Sequence, residues 1–346
     1  MTTKRIISII MSIAIIIGCL TSCEESPKPI TQDVGEVTLS KGVNLSALED
    51  KYKSSSYLDK KSTYTEIVKK GFDHIRLPVD FRIFSDDKGT LNEKSFKRID
   101  NIINTANNEG LAVMLDFHGW NDFNTEKGDS ERFIAIWKNV AERYKDFSNL
   151  LLFELINEPH TTEGGDLSMG KLMRLQNEAI DAIRAISPDR TIVISTAEWN
   201  GPWTLKDFTP PEYDNLILAL HTYEPLDFTH QGMKWAGTED VKLALTDDML
   251  INLRTQLNLI VEFKERTGMK VILNEFGLNT TGHISDKDVK RYLSTVTKVC
   301  SENDIPWTYW SYNGQFGFYN SNAFGIGAGW RENVLDSLFL HEREKD

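Results

Sequence analysis

Eight short apolar runs follow the first 36 residues of the chain, and longer amphipathic segments separate them. The runs cover residues 37–45, 74–79, 111–117, 150–156, 191–197, 215–221, 270–274 and 307–311. Short, continuously apolar runs are typical of strands that are buried on both faces, as in a parallel sheet. The pattern therefore predicts eight parallel strands.

The segments between the runs have the period of an amphipathic helix. In residues 171–187, apolar side chains recur at steps of three and four, and Pro188 follows as a stop signal. Residues 130–144 and 246–266 show the same spacing. Strands and helices that alternate in this way predict an α/β fold, a single (β/α)8 TIM barrel. A doubly wound open sheet is the alternative, but the glycine-rich phosphate turn that usually follows its first strand is missing from the sequence.

The N-terminal segment does not fit this alternation. Lys4 and Arg5 precede an apolar run at residues 6–20, which suits a signal peptide and is short for a membrane span. The run ends in Leu-Thr-Ser-Cys at Cys23, an order that resembles the bacterial lipoprotein box, in which the cysteine is lipidated after cleavage. An ordinary secretory signal with an incidental cysteine is the alternative.

We therefore expect a lipoprotein signal peptide at residues 1–22, a tether at residues 23–36 and one folded domain at residues 37–346. Glu24 and Glu25, directly after the cysteine, resemble the acidic export signal of Bacteroidetes surface lipoproteins. The expected location is the outer membrane or the cell surface, with the lipid as the only membrane contact. Processing would leave Cys300 as the one unmodified cysteine, so no internal disulfide is possible, and we expect Cys300 to be a buried apolar residue.

The composition is that of an ordinary globular protein, with 40% hydrophobic and 26% charged residues. The formal net charge of −12 argues against nucleic acid or anionic membrane as an electrostatic partner, because a phosphate-binding face needs clustered lysine and arginine. We expect a monomer that acts on a neutral substrate.

Polar and aromatic residues fall at the ends of seven of the eight predicted strands. Because the carboxyl ends of barrel strands converge on one face, these residues mark the expected functional face. They are Arg76, His118, Asn157 with Glu158, Glu198, His221 with Tyr223, Glu275, and Trp310.

Two of the three glutamates in this set lie on opposite sides of the predicted barrel mouth. Glu158 ends the fourth strand and Glu275 the seventh, so their side chains should face each other. Two facing carboxylates suit glycosidic bond hydrolysis, in which one protonates the leaving oxygen and the other attacks or activates water. A single strand-end glutamate more commonly caps a helix or pairs with a surface cation. Glu154, an even number of residues before Glu158, should point into the barrel, where a buried partner such as an arginine is expected.

The motifs around the two glutamates resemble those of glycoside hydrolase family 5. INEP contains Glu158 and LNEFG contains Glu275, and HIRLPV, DFH, HTY and TYW accompany them in the family's order. The similarity extends over about residues 41–339. It implies a retaining endo-β-1,4-glucanase on a (β/α)8 barrel, with Glu158 as the acid/base and Glu275 as the nucleophile.

The resemblance also implies roles for other residues. Arg76 and Tyr223 match the groups beside the nucleophile, where they would hold Glu275 ionised. Burial and the opposite negative charge would then keep Glu158 protonated. Asn157 is placed to bond the sugar 2-hydroxyl. The remaining expected substrate contacts are His118, His221, Trp310, His230, Trp235 and Glu49.

Other tryptophans fall in or near loops on the same face, namely Trp120, Trp199, Trp203 and Trp330. A single tryptophan is more often part of a core, so only Trp235 and Trp310 are taken as sugar platforms. For a histidine taken alone, a satisfied core residue is likewise the commoner role.

Two departures from the family pattern concern the substrate. Relatives often carry a second histidine after the position of His118, where this chain has Gly119 and Trp120, and the first loop is one residue shorter than theirs, with Ser46. A β-mannanase or a dual glucanase and mannanase therefore stays open. A non-catalytic glycan-binding lipoprotein is the alternative of another class. The chemistry requires no metal or cofactor, and the acidic loop at residues 161–166 lacks the ligand spacing of a calcium loop.

Overall fold

The computed structural model describes residues 27–50, 56–320 and 329–343. Eight parallel strands close into a barrel in sequence order, with β1 next to β8. They are β1 (Lys41–Asn44), β2 (His74–Val79), β3 (Ala112–Phe117), β4 (Leu151–Glu154), β5 (Ile192–Ser195), β6 (Leu216–Thr222), β7 (Lys270–Phe276) and β8 (Trp307–Tyr309). This architecture confirms the predicted (β/α)8 fold. The predicted signal peptide and Cys23 lie outside the described residues.

Helices form the outer layer of the barrel. Within the described ranges they are α1 (Lys61–Lys69), α2 (Glu93–Asn108), α3 (Asp129–Tyr144), α4 (Met169–Arg184), α5 (Leu226–Thr229), α6 (Asp247–Thr267), α7 (Asp286–Glu302), α8 (Glu332–Leu338) and α9 (Leu340–Arg343). Between β5 and β6 the connection contains a short 3-10 helix, Pro202–Lys206. A pair of two-residue strands, β9 (Tyr319–Asn320) and β10 (Gly329–Trp330), lies between β8 and α8.

Local signals explain where the helices begin and end. The side chain of Thr246 caps α6 by accepting a hydrogen bond from the backbone N–H of Met249, and Gly268, whose φ is 68°, is the C-terminal cap directly after Thr267. Ser285 caps α7 in the same way. Cys300 is buried in α7, as its helical pattern predicted.

The first strand is shorter than the apolar run that predicted it. It begins at Lys41, whereas the run begins at Val37. Val37 and Leu39 instead pack against a separate apolar cluster at the N-terminal end of the barrel interior, which includes Leu152 and Ile272. These residues are apolar because they close the N-terminal end of the barrel interior.

Between this apolar cluster and the C-terminal ends of the strands, the barrel interior is polar. Its fully buried side chains come from five strands or strand ends and include Asn44, Arg76, Asp116, Glu154 and Asn274. Burying a polar group is costly unless it is hydrogen-bonded. Arg76 donates to Asn44 and Glu154, and Asn274 donates to Glu154, so these side chains form a connected network. It lies directly below the ends of the strands and supports the residues there.

Part of the predicted tether contacts the barrel. The backbone carbonyls of Lys28 and Ile30 accept hydrogen bonds from Asn108 and Ser148, and Asp33 accepts one from the backbone N–H of Asn149. These partners precede β3 and β4, so the segment lies at the N-terminal end of the strands. No helix in the described part of the chain is long and apolar enough to cross a membrane.

Candidate active site

A cleft of about 1030 Å³ opens at the C-terminal ends of the strands. Its wall includes eight of the residues predicted from the sequence: His118, Glu158, His221, Tyr223, His230, Trp235, Glu275 and Trp310. A second cavity of about 570 Å³ lies at the opposite end of the barrel, and none of the predicted residues lines it. The chemistry is therefore concentrated at the face that the strand-end pattern indicated.

The two glutamates face each other across the floor of this cleft. Carboxylate oxygens of Glu158 and Glu275 and a ring nitrogen of His221 all lie within 4.8 Å of one another. The side chain of Glu158 is 26% exposed, whereas that of Glu275 is 5% exposed. Glu158 has a φ of 30°, an uncommon conformation for a residue other than glycine, at the turn that follows β4. Backbone strain of this kind is characteristic of functional sites.

Direct donors hold the carboxylate of Glu275 in place. Arg76 donates from Nη1 to Oε1 at 2.5 Å, and the hydroxyl of Tyr223 donates to Oε2 at 2.9 Å. Arg76 was expected at the end of its strand, but it is the third residue of β2 and is fully buried. Its long side chain reaches the nucleophile position from within the barrel.

Burial raises the pKa of both Glu158 and Glu275 above the usual value of a glutamate. The sequence predicts that its neighbours hold Glu275 ionised. In the structure, the donors to Glu275 favour its ionised form, but burial of the carboxylate opposes ionisation. Glu275 accepts hydrogen bonds from a cation and a phenol, whereas Glu158 contacts the neutral imidazole of His221 at 2.9 Å. These donors favour the ionised form of Glu275, and Glu158 has no comparable cationic donor in direct contact.

The histidine beside Glu158 is neutral. Burial lowers the pKa of His221 to about 4. Its Nδ1 lies 2.9 Å from Glu158 Oε1 and 3.7 Å from Glu275 Oε2. His221 thus lies between the two carboxylates and contacts the more exposed one.

Arg76 links the catalytic floor to the polar layer below it. Its Nε and Nη2 donate to the two carboxylate oxygens of Glu154, at 2.7 and 2.8 Å. The side chain of Asn274 donates to Glu154 at 2.9 Å. The expectation that Glu154 has a buried arginine partner is confirmed.

Asn157 and His118 form the side of the floor nearest β3. Asn157 Oδ1 accepts from Arg76 Nη2 at 2.8 Å, and its Nδ2 lies 3.5 Å from His118 Nε2. The His118 ring stacks on Trp310, with 5.7 Å between ring centroids and planes 16° apart. Trp310 therefore has one face against a histidine at the edge of the cleft.

Aromatic side chains border the cleft on both flanks of the carboxylate pair. Trp235 is 68% exposed and contacts His230, which also packs against Tyr223. On the other flank, Trp199 is 45% exposed and stacks on His160, whose Nδ1 bonds the backbone carbonyl of Glu158. Exposed aromatic rings in a cleft provide apolar faces for ligand stacking.

Several residues lie elsewhere than the sequence suggested. The Glu49 carboxylate is hydrogen-bonded to Ser46 Oγ, and Ser46 rather than Glu49 lines the cleft. Glu198 follows β5 but is exposed and is not part of the cleft wall. Trp120 is buried against Phe117 and Phe123, and Trp330 packs on Phe318. These two tryptophans therefore pack against core residues and do not provide a face for a sugar.

Sequence reasoning missed Asp116, which is fully buried in β3 and contacts both Arg76 and His118. A signal was available, because Asp116 lies two residues before His118 and so faces the same side of its strand. Trp203, which the sequence does not distinguish from a core tryptophan, is 40% exposed on the wall of the cleft. Its exposure depends on the 3-10 helix Pro202–Lys206, which no periodicity predicted.

The chain is similar to enzymes of known family. The family model described as cellulase (glycosyl hydrolase family 5) matches residues 33–316. Endoglucanase C of Acetivibrio thermocellus is 28% identical over 332 residues, with 83% of this chain and 95% of that protein covered. Cellodextrinase A of Ruminococcus flavefaciens is 27% identical over 261 residues, with 71% and 76% covered. The structure of Thermotoga maritima Cel5A with cellobiose superposes with a TM-score of 0.78 at 30% identity, covering 87% of this chain and 97% of that one.

Proposed function

This chain belongs to the cellulases of glycosyl hydrolase family 5, and we propose that it is a retaining endo-β-1,4-glucanase carried on a lipid anchor. The observation that carries the enzymatic part is the facing pair Glu158 and Glu275, whose nearest oxygens lie within 4.8 Å. Retaining glycosidases have carboxyl groups about 5–5.5 Å apart, whereas inverting enzymes need about 6.5–9.5 Å to admit a water molecule. The short separation favours retention.

In the first chemical step, Glu275 attacks the anomeric carbon and Glu158 gives its proton to the leaving oxygen. The anomeric C–O bond to the leaving sugar breaks as the bond to Glu275 Oε forms, and a glycosyl-enzyme ester results. Arg76 and Tyr223 hold the attacking carboxylate in one orientation. The neutral His221 beside Glu158 leaves the proton on the acid.

In the second step, Glu158, now ionised, takes a proton from a water molecule that attacks the anomeric carbon. The ester bond breaks, Glu275 leaves as a carboxylate, and Glu158 is protonated again. Asn157 lies on the floor beside the pair, where its amide contacts the sugar 2-hydroxyl and strengthens that hydrogen bond in both transition states.

The open shape of the cleft supports action within a chain. Trp199 lies on the flank of the acid and Trp235 on the flank of the nucleophile, so sugar units on both sides of the cleaved bond meet an exposed ring. Endoglucanase C, to which the chain is similar over 95% of that protein's length, is named for the same type of action.

β-Mannan is the second candidate substrate. The structure of Thermotoga maritima Cel5A with mannotriose superposes with a TM-score of 0.78 at 29% identity. In this chain, Gly119 has no side chain to place beside His118, and Trp120 is turned into the core. The position after His118 thus offers no side chain that could select between glucose and mannose units.

A non-catalytic glycan-binding role is disfavoured by the intact site. A hydrolase fold that has lost its catalytic activity would be expected to lack one of the two carboxylates or the cation that supports them. Here Glu158, Glu275 and Arg76 are all present, and Arg76 contacts Glu275 at 2.5 Å.

The lipid anchor is proposed from the sequence around Cys23. The position of residues 28–33 supports its geometry, because they contact the end of the barrel opposite the cleft. An anchor attached at residue 23 would leave the cleft facing away from the membrane. The acidic pair Glu24 and Glu25 favours export to the cell surface of a Bacteroidetes-type envelope.

A substrate panel tests the enzymatic proposal. Purified protein should lower the viscosity of carboxymethyl cellulose or barley glucan and release oligosaccharides of several lengths. Glucomannan and mannan in the same panel distinguish the two substrates, and Glu275→Ala should remove the activity on each of them. Inactivity of the folded wild-type protein on every β-glucan and β-mannan would refute the proposal, and release of a single small product from the chain end would refute endo action.

A further inference from the structure

A buried carboxylate below the catalytic floor has no part in the two chemical steps. Asp116, in β3, is fully buried, and its Oδ2 lies 2.9 Å from Arg76 Nη2 and 2.8 Å from His118 Nδ1. Its other oxygen, Oδ1, has no hydrogen bond to any residue that the structure describes. One atom of Asp116 therefore makes both contacts.

These contacts determine which nitrogen of His118 carries the proton. Burial lowers the pKa of His118, so the ring is neutral and has one N–H. The guanidinium of Arg76 lies 2.9 Å from Oδ2, and its positive charge favours the ionised form of Asp116, whose oxygens can only accept. His118 must then donate from Nδ1, and its Nε2 carries a lone pair. Burial raises the pKa of Asp116 to about 7, and the charge of Arg76 beside Oδ2 opposes protonation, so above that pH Asp116 is ionised and this assignment holds.

The tautomer of His118 in turn orients Asn157. The Nε2 lone pair faces Asn157 Nδ2 at 3.5 Å, and Asn157 Oδ1 accepts from Arg76 Nη2 at 2.8 Å. With Nε2 as the acceptor, the amide of Asn157 has one favourable orientation, with oxygen toward Arg76 and nitrogen toward His118. If Nε2 carried the proton, two donors would face each other, and the amide of Asn157 would lose its partner on the His118 side.

We propose that Asp116 is a positioning residue for the hydrolytic reaction: its Oδ2 fixes His118 as the Nδ1–H tautomer, and His118 thereby fixes the amide of Asn157 beside the reacting sugar. The proposal rests on the proposed function for its kinetic consequence, but the tautomer is a property of the free protein. The required feature is an acceptor oxygen at this position, and the negative charge is secondary.

The test compares Asp116→Leu, which removes the acceptor, with Asp116→Asn, which can keep an oxygen at the position of Oδ2. Nitrogen NMR of the histidine side chains should show His118 as the Nδ1–H tautomer in the wild-type protein and in Asp116→Asn, and as the Nε2–H tautomer in Asp116→Leu. We expect Asp116→Leu to lower kcat by about tenfold to a hundredfold with KM changed by less than about threefold, because the contact strengthens in the transition state. Asp116→Asn should stay within about threefold of the wild-type kcat.

Asp73 provides a matched control. Its Oδ1 lies 2.6 Å from Nδ1 of the buried His74 at the start of β2, so it makes the same kind of contact at the other end of the barrel. Asp73→Leu should leave kcat and the tautomer of His118 unchanged when all variants are measured below their melting temperatures. A double-mutant cycle adds a second criterion, because Asp116→Leu should lower kcat little further in a His118→Ala background.

Each result has a defined meaning. An Nε2–H tautomer in the wild-type protein overturns the inference, and this measurement needs no variant that folds. A wild-type kcat in Asp116→Leu, or an Asp116→Asn as slow as Asp116→Leu, overturns it as well. If the wild-type protein hydrolyses no β-glucan or β-mannan, the proposed function fails, and the NMR spectrum still decides whether Asp116 sets the tautomer.

Discussion

At the scale of single residues, the two catalytic carboxyls differ in the groups that contact them. Glu275 accepts from Arg76 and Tyr223, and Glu158 contacts one neutral histidine. Burial raises the pKa of both, and the two titrate as a coupled pair. Activity requires an ionised Glu275 and a protonated Glu158, so the dependence of kcat/KM on pH should be bell-shaped, with the acidic limb governed mainly by Glu275.

Removing the hydroxyl of Tyr223 should move the acidic limb. A donor to the ionised form of Glu275 lowers its pKa, so Tyr223→Phe raises that pKa and the limb shifts to higher pH. A hydrogen bond to a charged group of about 1.5 kcal/mol corresponds to about one pH unit. The measurement is kcat/KM across the pH range. Tyr292→Phe is the control, because the Tyr292 hydroxyl is buried in α7 and makes no hydrogen bond within the described residues. A limb that stays in place, or moves to lower pH, contradicts the role of Tyr223.

The ion pair in the polar layer should contribute to stability. Glu154→Ala leaves Arg76 Nε and Asn274 Nδ2 without their acceptor in a buried setting. Breaking a buried ion pair typically costs about 3–5 kcal/mol, so the free energy of unfolding in urea should fall by about that amount. Glu163→Ala, at an exposed position, should change it by less than about 0.5 kcal/mol. Similar unfolding curves for the two variants would show that the ion pair between Arg76 and Glu154 does not stabilise the fold.

At the scale of secondary structure, the glycine after β7 brings two parts of the site together. A Cβ on Gly277 would lie 2.2 Å from the backbone oxygen of Trp310, and the backbone N–H of Trp310 donates to the carbonyl of Phe276 at 2.9 Å. Glycine is therefore required for the end of β7 to pack on the end of β8. Through this contact, the strand that carries Glu275 also positions the tryptophan beside it.

Gly277→Ala should displace Trp310 from the cleft. We expect kcat/KM to fall by more than about tenfold and the melting temperature to drop, because the clash is with backbone and cannot be relieved by a rotamer change. Gly170→Ala is the control, since Gly170 lies in α4 with only the end of the Arg174 side chain near the added atom. It should keep full activity and be at least as stable, because alanine favours the helix. Full activity in Gly277→Ala would contradict this account of the β7 and β8 ends.

The same scale shows what the sequence could predict. The apolar runs located all eight strands, because strands buried on both faces are continuously apolar. The run at residues 37–45 is longer than β1, because Val37 and Leu39 are also apolar but pack against the cluster that closes the N-terminal end of the barrel. Strand-end positions indicated Glu158 and Glu275. The contacts among Arg76, Asp116 and His118 depend on the register between β2 and β3, which a single sequence does not determine.

At the scale of the whole molecule, the two ends of the barrel have different roles. The cleft lies at the C-terminal end of the strands, and residues 28–33 contact the N-terminal end. This arrangement suits an enzyme that is held at a surface and acts on polymers outside it. A polysaccharide could then reach the cleft without steric conflict with the membrane.

The proposed anchor predicts a simple change in partitioning. The mature protein expressed in a bacterial host with lipoprotein processing should enter the detergent-rich phase of a two-phase extraction, because lipid chains add buried CH₂ groups. Cys23→Ser should move it to the aqueous phase, and Cys19→Ser, four residues earlier, should not. A wild-type protein that stays in the aqueous phase would contradict lipidation and leave the barrel chemistry untouched.

The central claim is that Glu275 is the nucleophile of a retaining mechanism, and covalent trapping tests it most directly. An activated 2-fluoro cellobioside slows the second step, so the glycosyl-enzyme accumulates and can be weighed by mass spectrometry of the intact protein and its peptides. The account predicts one added glycosyl unit on Glu275 in the wild-type protein and in Glu158→Gln, because an activated leaving group needs no acid, and none in Glu275→Gln. An adduct on another residue, or no adduct in a protein that hydrolyses β-glucan, would contradict it.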